Sequence, residues 1–419
     1  MKILLLGSGG REHALAWKMS RSPLVDRIYV LPGSDGIATL DKVECVSGNA
    51  LDVAHNIKPD LIVVGPEKPM SEGVVDQLEA AGFIVLGPSK AAAQLESSKI
   101  FSKDFMTLEN ISTARAIVCN SYDQAMAMLE KWNMVNGIVI KADGLAAGKG
   151  VVVTNDRAEA ETTLHDFMRN PACTVKAARV LLEEKLVGRE VSAFALCDGD
   201  NFIPLGYACD YKRVNDGDEG PNTGGMGGYA PKNWPTDAAR AIVNEEVFAR
   251  VMAGMKKRGT PFKGILFAGL MIDDDDVKVI EFNVRFGDPE AQILMPLFDG
   301  DIVPLFLAAA KGELSGSVAL HQVEKTAVHV VMVSQGYPDI GGEGMKLGER
   351  IDMPASINDN ALLFMANTKK KDGVWSNEGG RVLGVTALGT TLEEARRNAY
   401  AEIDKIKFNG AHWRRDIGS

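Results

Sequence analysis

Three short apolar runs near the amino terminus each stop at a glycine. Ile3–Leu6 runs into Gly7, Leu61–Val64 into Gly65-Pro66, and Phe83–Leu86 into Gly87-Pro88. A fourth run, Arg27–Leu31, lies among them. Helical stretches separate the runs: Glu12–Ser20, one ending near Lys58, and Met70–Ala81. Strands alternating with helices predict an open parallel sheet with helices on both faces. Such sheets take ligands at the carboxyl ends of their strands, where these glycines fall.

From Ala92 the texture changes. Ala92–Leu108 reads as one helix, and four strand-like runs follow: Ala116–Cys119, Gly137–Lys141, Val151–Thr154 and Val180–Glu183. The 190–290 stretch is rich in strands, broken by a long glycine loop and one helix, Asp237–Lys257. Ile265–Ile272 and Val277–Phe282 flank Asp273–Asp276, which reads as a hairpin turn. A helix is expected over Ala291–Lys311. The tail holds strands at Ala327–Val333 and Arg381–Leu388 and a late helix, Leu392–Lys405, and reads as a separate α+β piece. The fold class is therefore α/β and α+β, in several domains.

Charge narrows the function. Forty-six Lys and Arg against 56 Asp and Glu give a net charge of −10, whereas a nucleic-acid binder usually carries a basic field. No apolar run reaches the ~20 residues that span a bilayer. The apolar start is too short for a signal peptide. The five cysteines are scattered without a Cys-x-x-Cys spacing, and the six histidines form no His-x-x-x-His pair. Reduced thiols in a cytoplasmic protein and no transition-metal site are expected.

Five segments carry chemistry. Gly7-Ser8-Gly9-Gly10-Arg11-Glu12-His13 follows a strand and opens a helix. Backbone amides at a helix N-terminus attract phosphate. A dinucleotide site is the rival, but its fingerprint wants Gly or Ala where Glu12 stands. The second segment, Lys141–Val151, runs strand, small-residue loop, strand. It is not a P-loop, because Gly150 replaces the hydroxyl residue after Lys149. It fits a hairpin laid over a triphosphate, or else a solvated glycine turn. The third, Leu182–Glu190, is a strand running into a charged turn. The fourth, Asp210–Gly228, places six glycines within 217–228. A loop that long inside a compact domain is functional or disordered. In the fifth, Val279–Glu290, Glu281 and Asn283 alternate onto one strand face, with Arg285 following. Hard oxygens so placed suit Mg²⁺, and the guanidinium suits a carboxylate or phosphate. A surface salt-bridge network is the alternative.

In this order the five segments resemble those of the ATP-grasp ligases. Within that superfamily, Gly220–Gly228 (Gly-Pro-Asn-Thr-Gly-Gly-Met-Gly-Gly), Val64–Glu67, Gly379–Gly389 and Arg414–Gly418 resemble the phosphoribosylamine–glycine ligase family over essentially the whole chain. The resemblance implies ligation of glycine to 5-phosphoribosylamine, driven by ATP through glycyl phosphate. It implies an amino-terminal domain over 1–100, an ATP-grasp domain over 101–325 with a mobile lid near 119–190, and a carboxy-terminal domain over 326–419. Glu281 and Asn283 would hold Mg²⁺ or Mn²⁺. Lys99, Lys141, Gly148 and Lys149 would meet ATP phosphates, Glu183 and Leu186 the adenine, and Glu190 the ribose. Gly9, Gly10, Arg11 and Glu67 would hold phosphoribosylamine. Asn222, Thr223, Gly224 and Arg285 would hold glycine, and Arg285, Asp210 and Asp288 are the catalytic candidates. The expected partners are these small molecules alone, with no nucleic acid or membrane, and the chain is expected to be a monomer. One departure is visible: Met365-Ala366-Asn367-Thr368 stands where family members often have His-Ala-Gly-Thr.

Overall fold

The computed structural model describes residues 1–146, 149–314, 322–339, 342 and 344–419. The amino-terminal strands form a five-stranded sheet in the order Val43–Cys45, Arg27–Pro32, Lys2–Gly7, Leu61–Val64, Val85–Leu86. Every pairing in it is parallel. The expected run Met70–Ala81 is instead two helices, Glu67–Glu72 and Val74–Ala80, which part at Gly73 with φ +95°. Ala92–Leu108 is also broken. Ser98 takes extended backbone and its hydroxyl caps a new helix, Lys99–Leu108. That cap sets Lys99 at the first turn of a helix.

A four-stranded antiparallel sheet follows, in the order Ala116–Cys119, Val180–Glu184, Ile138–Ala142, Val151–Thr154. Helices Tyr122–Glu130 and Arg157–Met168 cover it. Leu129, Ile138, Ile140, Leu164 and Leu182 build a small core of their own there.

The largest sheet has eight strands, all antiparallel. It runs Asp276–Asn283, Lys263–Asp273, Arg189–Asp198, Phe202–Asp210, Gly227–Tyr229, Thr326–Val333, Arg381–Gly389, Ala361–Met365. The short glycine strand Gly227–Tyr229 is its hinge-point. It pairs Phe202–Asp210 on one side and the tail's Thr326–Val333 on the other. The tail's strands therefore continue the central sheet. The expected helix Ala291–Lys311 is interrupted after Leu297 and restarts at Val303. Among the described residues no helix is long and apolar enough to cross a membrane.

Candidate active site

Glu281 stands on the strand Asp276–Asn283, opposite Gly269. Burial alone would raise its pKa, but Lys99, Lys141, Lys212 and Arg285 together hold it below the usual carboxylate range. The cations come from a helix start, a strand of the four-stranded sheet, the glycine loop and the end of the Glu281 strand. The sequence separates them widely; the fold brings them near enough to act on one carboxylate. Lys141 Nζ is 2.8 Å from Glu183 Oε2 and donates to the Ile280 carbonyl at 2.9 Å. Lys103 Nζ lies 3.1 Å from the other oxygen of Glu183. Lys103 also donates to Thr113 Oγ1 and to the Ala114 carbonyl.

Glu281 and Asn283 offer two oxygen donors to a cation. Among the described residues no group of three or more His, Cys, Asp or Glu side chains could enclose a metal. An ionised carboxylate beside one amide oxygen fits Mg²⁺ or Mn²⁺, provided water and phosphate complete the shell. Arg285 Nη2 donates to Asn283 Oδ1 at 3.1 Å and so orients that amide.

Arg285 ties this strand to the amino-terminal region. Its guanidinium meets Glu96 at 2.9 Å and Glu67 at 3.3 Å. Glu96 is fully occupied, because its second oxygen accepts from Val284 N at 2.8 Å. Burial would lower the Arg285 pKa, yet Glu96 and Glu67 raise it overall. Glu67 is conversely lowered: burial would raise it, but Arg285, a main-chain hydrogen bond and Arg11 together lower it.

The first glycine loop opens the helix Gly10–Ser20, as expected. Glu12 closes back over it: its Oε2 accepts from Gly9 N at 2.7 Å and its Oε1 from Arg11 Nε at 2.6 Å. Arg11 Nη1 donates to the Phe286 carbonyl at 3.2 Å. The Arg11 side chain thus turns inward and is 8% exposed. Its main-chain amide faces Asp288 Oδ2 at 3.4 Å. An aspartate of the chain occupies the helix N-terminus where phosphate is expected. Asp288 is also bound by Gln292 Nε2 at 2.8 Å and Arg381 Nη1 at 3.4 Å. Burial would raise its pKa, but Arg381 and Arg11 lower it.

Lys212 bridges Glu190 and Asp210, the latter at 3.5 Å. Burial raises the Asp210 pKa in spite of Lys212. Lys212 is driven up by Asp210 and Glu190 against its own burial. Glu290 is buried near Asp210 and accepts from Ser192 Oγ at 3.2 Å. Its pKa is pushed up to about 7, first by burial and then by Asp210. Thr223 N and Oγ1 both donate to the Lys212 carbonyl. Gly224 N donates to Tyr337 Oη at 3.0 Å, and Arg381 Nη1 donates to the carbonyls of Gly224 and Asp288 at 2.6 Å. Gly225 has φ +116°, and a Cβ there would stand 2.6 Å from Pro289 Cδ. The glycine loop is thus an ordered strap, clamped by the tail.

Lys99, Lys141, Lys212 and Arg285 lie near enough to Glu281 to act on its charge. Arg285 contacts Asn283 and Glu67, and Lys212 pairs with Asp210 and Glu190. The Glu183 carboxylate is taken by Lys103 and Lys141, whereas Glu190 is exposed and gives Oε1 to Lys212. Leu186 is half-buried in a turn, and Lys149 is exposed. Gly148 lies outside the described residues. Sequence reasoning missed Glu96, Lys103, Lys212, Glu290, Gln292 and Arg381. Lys212 and Glu290 lay inside noted motifs, but nothing in one dimension reveals that Lys212 pairs with Glu190 and Asp210 or that Glu290 is buried near Asp210. Glu96 and Lys103 carry no motif at all.

The fold belongs to the ATP-grasp class. Biotin carboxylases share it at 14% identity, that of Campylobacter jejuni with a TM-score of 0.73 over 98% of this chain and 92% of the other. Family models narrow the class. The phosphoribosylglycinamide synthetase N domain matches residues 1–96, the ATP-grasp (A) domain 97–291 and the C domain 327–419. The chain belongs to the phosphoribosylglycinamide synthetase family. The phosphoribosylamine–glycine ligase of Caulobacter vibrioides is 44% identical over all of this chain and 98% of its own. That of Escherichia coli O157:H7 is 43% identical over the same shares. The solved Thermotoga maritima phosphoribosylamine–glycine ligase superposes with a TM-score of 0.86 at 35% identity, covering both chains completely.

Proposed function

We propose that this chain joins glycine to 5-phosphoribosylamine at the expense of ATP, yielding glycinamide ribonucleotide, ADP and phosphate in the second step of purine biosynthesis. Family membership supports the reaction, and one observation carries the site. Lys99, Lys141, Lys212 and Arg285 lower the pKa of Glu281 against its burial, and Arg285 links its strand to Glu67 of the amino-terminal region.

The glycine carboxylate attacks the γ-phosphorus, ADP departs, and glycyl phosphate forms. The amine nitrogen then attacks the acyl carbon, and phosphate leaves. No covalent enzyme intermediate is needed, so the chain contributes positioning and charge. Lys99 and Lys141 hold phosphate oxygens. Glu281 and Asn283 would hold Mg²⁺ or Mn²⁺, which when bound would supply positive charge against the phosphates. Gly9, Gly10 and Glu67 bind phosphoribosylamine, with the incoming phosphate displacing Asp288 from the Arg11 amide. Asn222, Thr223 and Gly224 bind glycine beside Arg285. Asp210 is a better acceptor than Asp288 for the proton the amine sheds, because burial raises the one while Arg381 and Arg11 lower the other.

The segments 1–100, 101–325 and 326–419 act as amino-terminal, ATP-grasp and carboxy-terminal domains, with residues near 119–190 closing over ATP. The separate core of that four-stranded sheet supports a unit able to move by itself. The reading makes the chain a cytoplasmic monomer, and its five cysteines are free thiols. A coupled ADP assay with each substrate omitted in turn tests the whole. ADP must form only when both glycine and phosphoribosylamine are present; release indifferent to glycine overturns the reading.

A further inference from the structure

The last residues of the chain make an unusual investment in the loop that holds Asp210 and Lys212. Arg414 is the largest fully buried side chain among the described residues. Its Nε and Nη2 donate to the two oxygens of Asp416 at 2.7 and 2.6 Å. Its Nη1 donates to Asp218 Oδ1 at 2.7 Å and to the Arg213 carbonyl at 3.1 Å. The guanidinium lies 4.6 Å over the ring of Tyr211, the residue between Asp210 and Lys212. Tyr211 Oη in turn accepts from Gly418 N at 3.1 Å. The same seam holds Gly217 N on Asp416 Oδ2 at 2.9 Å, Arg415 N on Asp216 Oδ1 at 2.7 Å, and His412 Nε2 on the Val214 carbonyl at 2.9 Å.

A charged side chain is buried only when paired and hydrogen-bonded. Here the pairing is spent on one loop. Arg213–Asn215 and Glu219–Asn222 pair as the outer hairpin of the glycine strap, and 412–418 fasten its residues 211–218. The inner side of the strap carries Asp210 and Lys212. Backbone freedom at a glycine-rich loop is costly to freeze, and the seam supplies the bonds that freeze it.

We infer that residues 412–418 are a positioning element for the acceptor-carboxylate side of the site, with Arg414 as its pin. Arg414 touches no substrate; it acts through Tyr211 on the Asp210–Lys212 pair. The inference rests on the reading above that the 210–228 loop serves glycine rather than ATP.

The test separates KM values. Arg414→Ala is expected to raise the KM for glycine about tenfold while the KM for ATP moves less than about twofold. Millimolar guanidinium chloride, compared with potassium chloride at equal ionic strength, restores most of the loss by refilling the cavity. Equal rises in both KM values, or no recovery with guanidinium in a folded variant, overturns the inference. Should Arg414→Ala fail to fold, Asp218→Asn removes one exposed arm of the seam, and a selective rise in the glycine KM of about threefold is expected. Unchanged kinetics in Asp218→Asn overturns the inference as well. If the unsubstituted chain forms ADP without glycine, the underlying reading fails instead, and the two failures are distinguishable.

Discussion

Glu183 is 3% exposed and takes an ammonium on each oxygen, Lys103 at 3.1 Å and Lys141 at 2.8 Å. Glu183→Gln keeps the shape and removes the charge. Two buried lysines then face a neutral amide, whose oxygen can accept from only one of them. Breaking a buried pair by neutralising one partner costs about 3–5 kcal/mol. The pH dependence discriminates this cause from a packing defect. Burial already lowers the Lys103 pKa, and Glu183 is the main influence opposing it. Without Glu183 the folded-state pKa falls further below the unfolded value, so the folded chain binds fewer protons than the unfolded one in that window. Stability of the variant therefore rises with pH relative to the native chain, until the unfolded lysine also titrates near ~10.4. Urea unfolding of both proteins across about pH 7 to 9.5 measures the difference. The gap should narrow by more than about 1 kcal/mol toward the alkaline end. A gap that is constant with pH, or one below about 1 kcal/mol throughout, refutes the argument. Lys103→Met in the Glu183→Gln background should recover much of the loss, because one stranded charge disappears.

Glu281→Gln should abolish metal-dependent ADP formation and shift the thermal midpoint by only a few degrees; retained turnover argues against the metal assignment. Arg381→Ala deletes two charge-assisted bonds to the carbonyls of Gly224 and Asp288 and should cost about 2–4 kcal/mol, read by denaturant midpoints. Gly225→Ala forces a Cβ into the left-handed region against Pro289 and should lose about 1–3 kcal/mol. Glu290, raised to about 7, keeps a proton that the unfolded chain has already released, so its contribution to stability falls as pH rises from the normal glutamate value toward neutrality. Glu290→Gln should flatten that slope, and parallel slopes for the two proteins would count against the buried pairing.

The local signals in the sequence were good guides where a single element decides the outcome. Ala116–Cys119 and Val151–Thr154 form strands at the expected bounds, and the hairpin at Asp273–Asp276 joins two antiparallel strands. Long helices were the weak point. Gly73 and Ser98 each start a new helix within an apolar pattern that reads as continuous, and Pro296 precedes the break at Leu297. Residue types suited to phosphate and cation were legible in Lys99, Lys141, Glu281 and Asn283, and in the fold the two lysines act on the charge of Glu281. What those groups spend their charge on was not. Glu183 and Glu190 looked available in a charged turn, but their partners Lys103 and Lys212 lie elsewhere in the chain. Asp288 meets Arg11 from 277 positions away, a distance over which no periodicity speaks.

The three-residue strand Gly227–Tyr229 joins the two halves of the central sheet, and this makes the tail hard to detach. A chain cut near residue 325 would keep its ligand-binding residues yet lose the partner of that strand. It would present bare amides and carbonyls along Gly227–Tyr229 and beside the glycine strap, an open edge of the kind that recruits other chains. Truncation should therefore yield aggregation before it yields a smaller enzyme. Any fusion partner is better placed beyond Ser419 than inserted between the sheet's two halves.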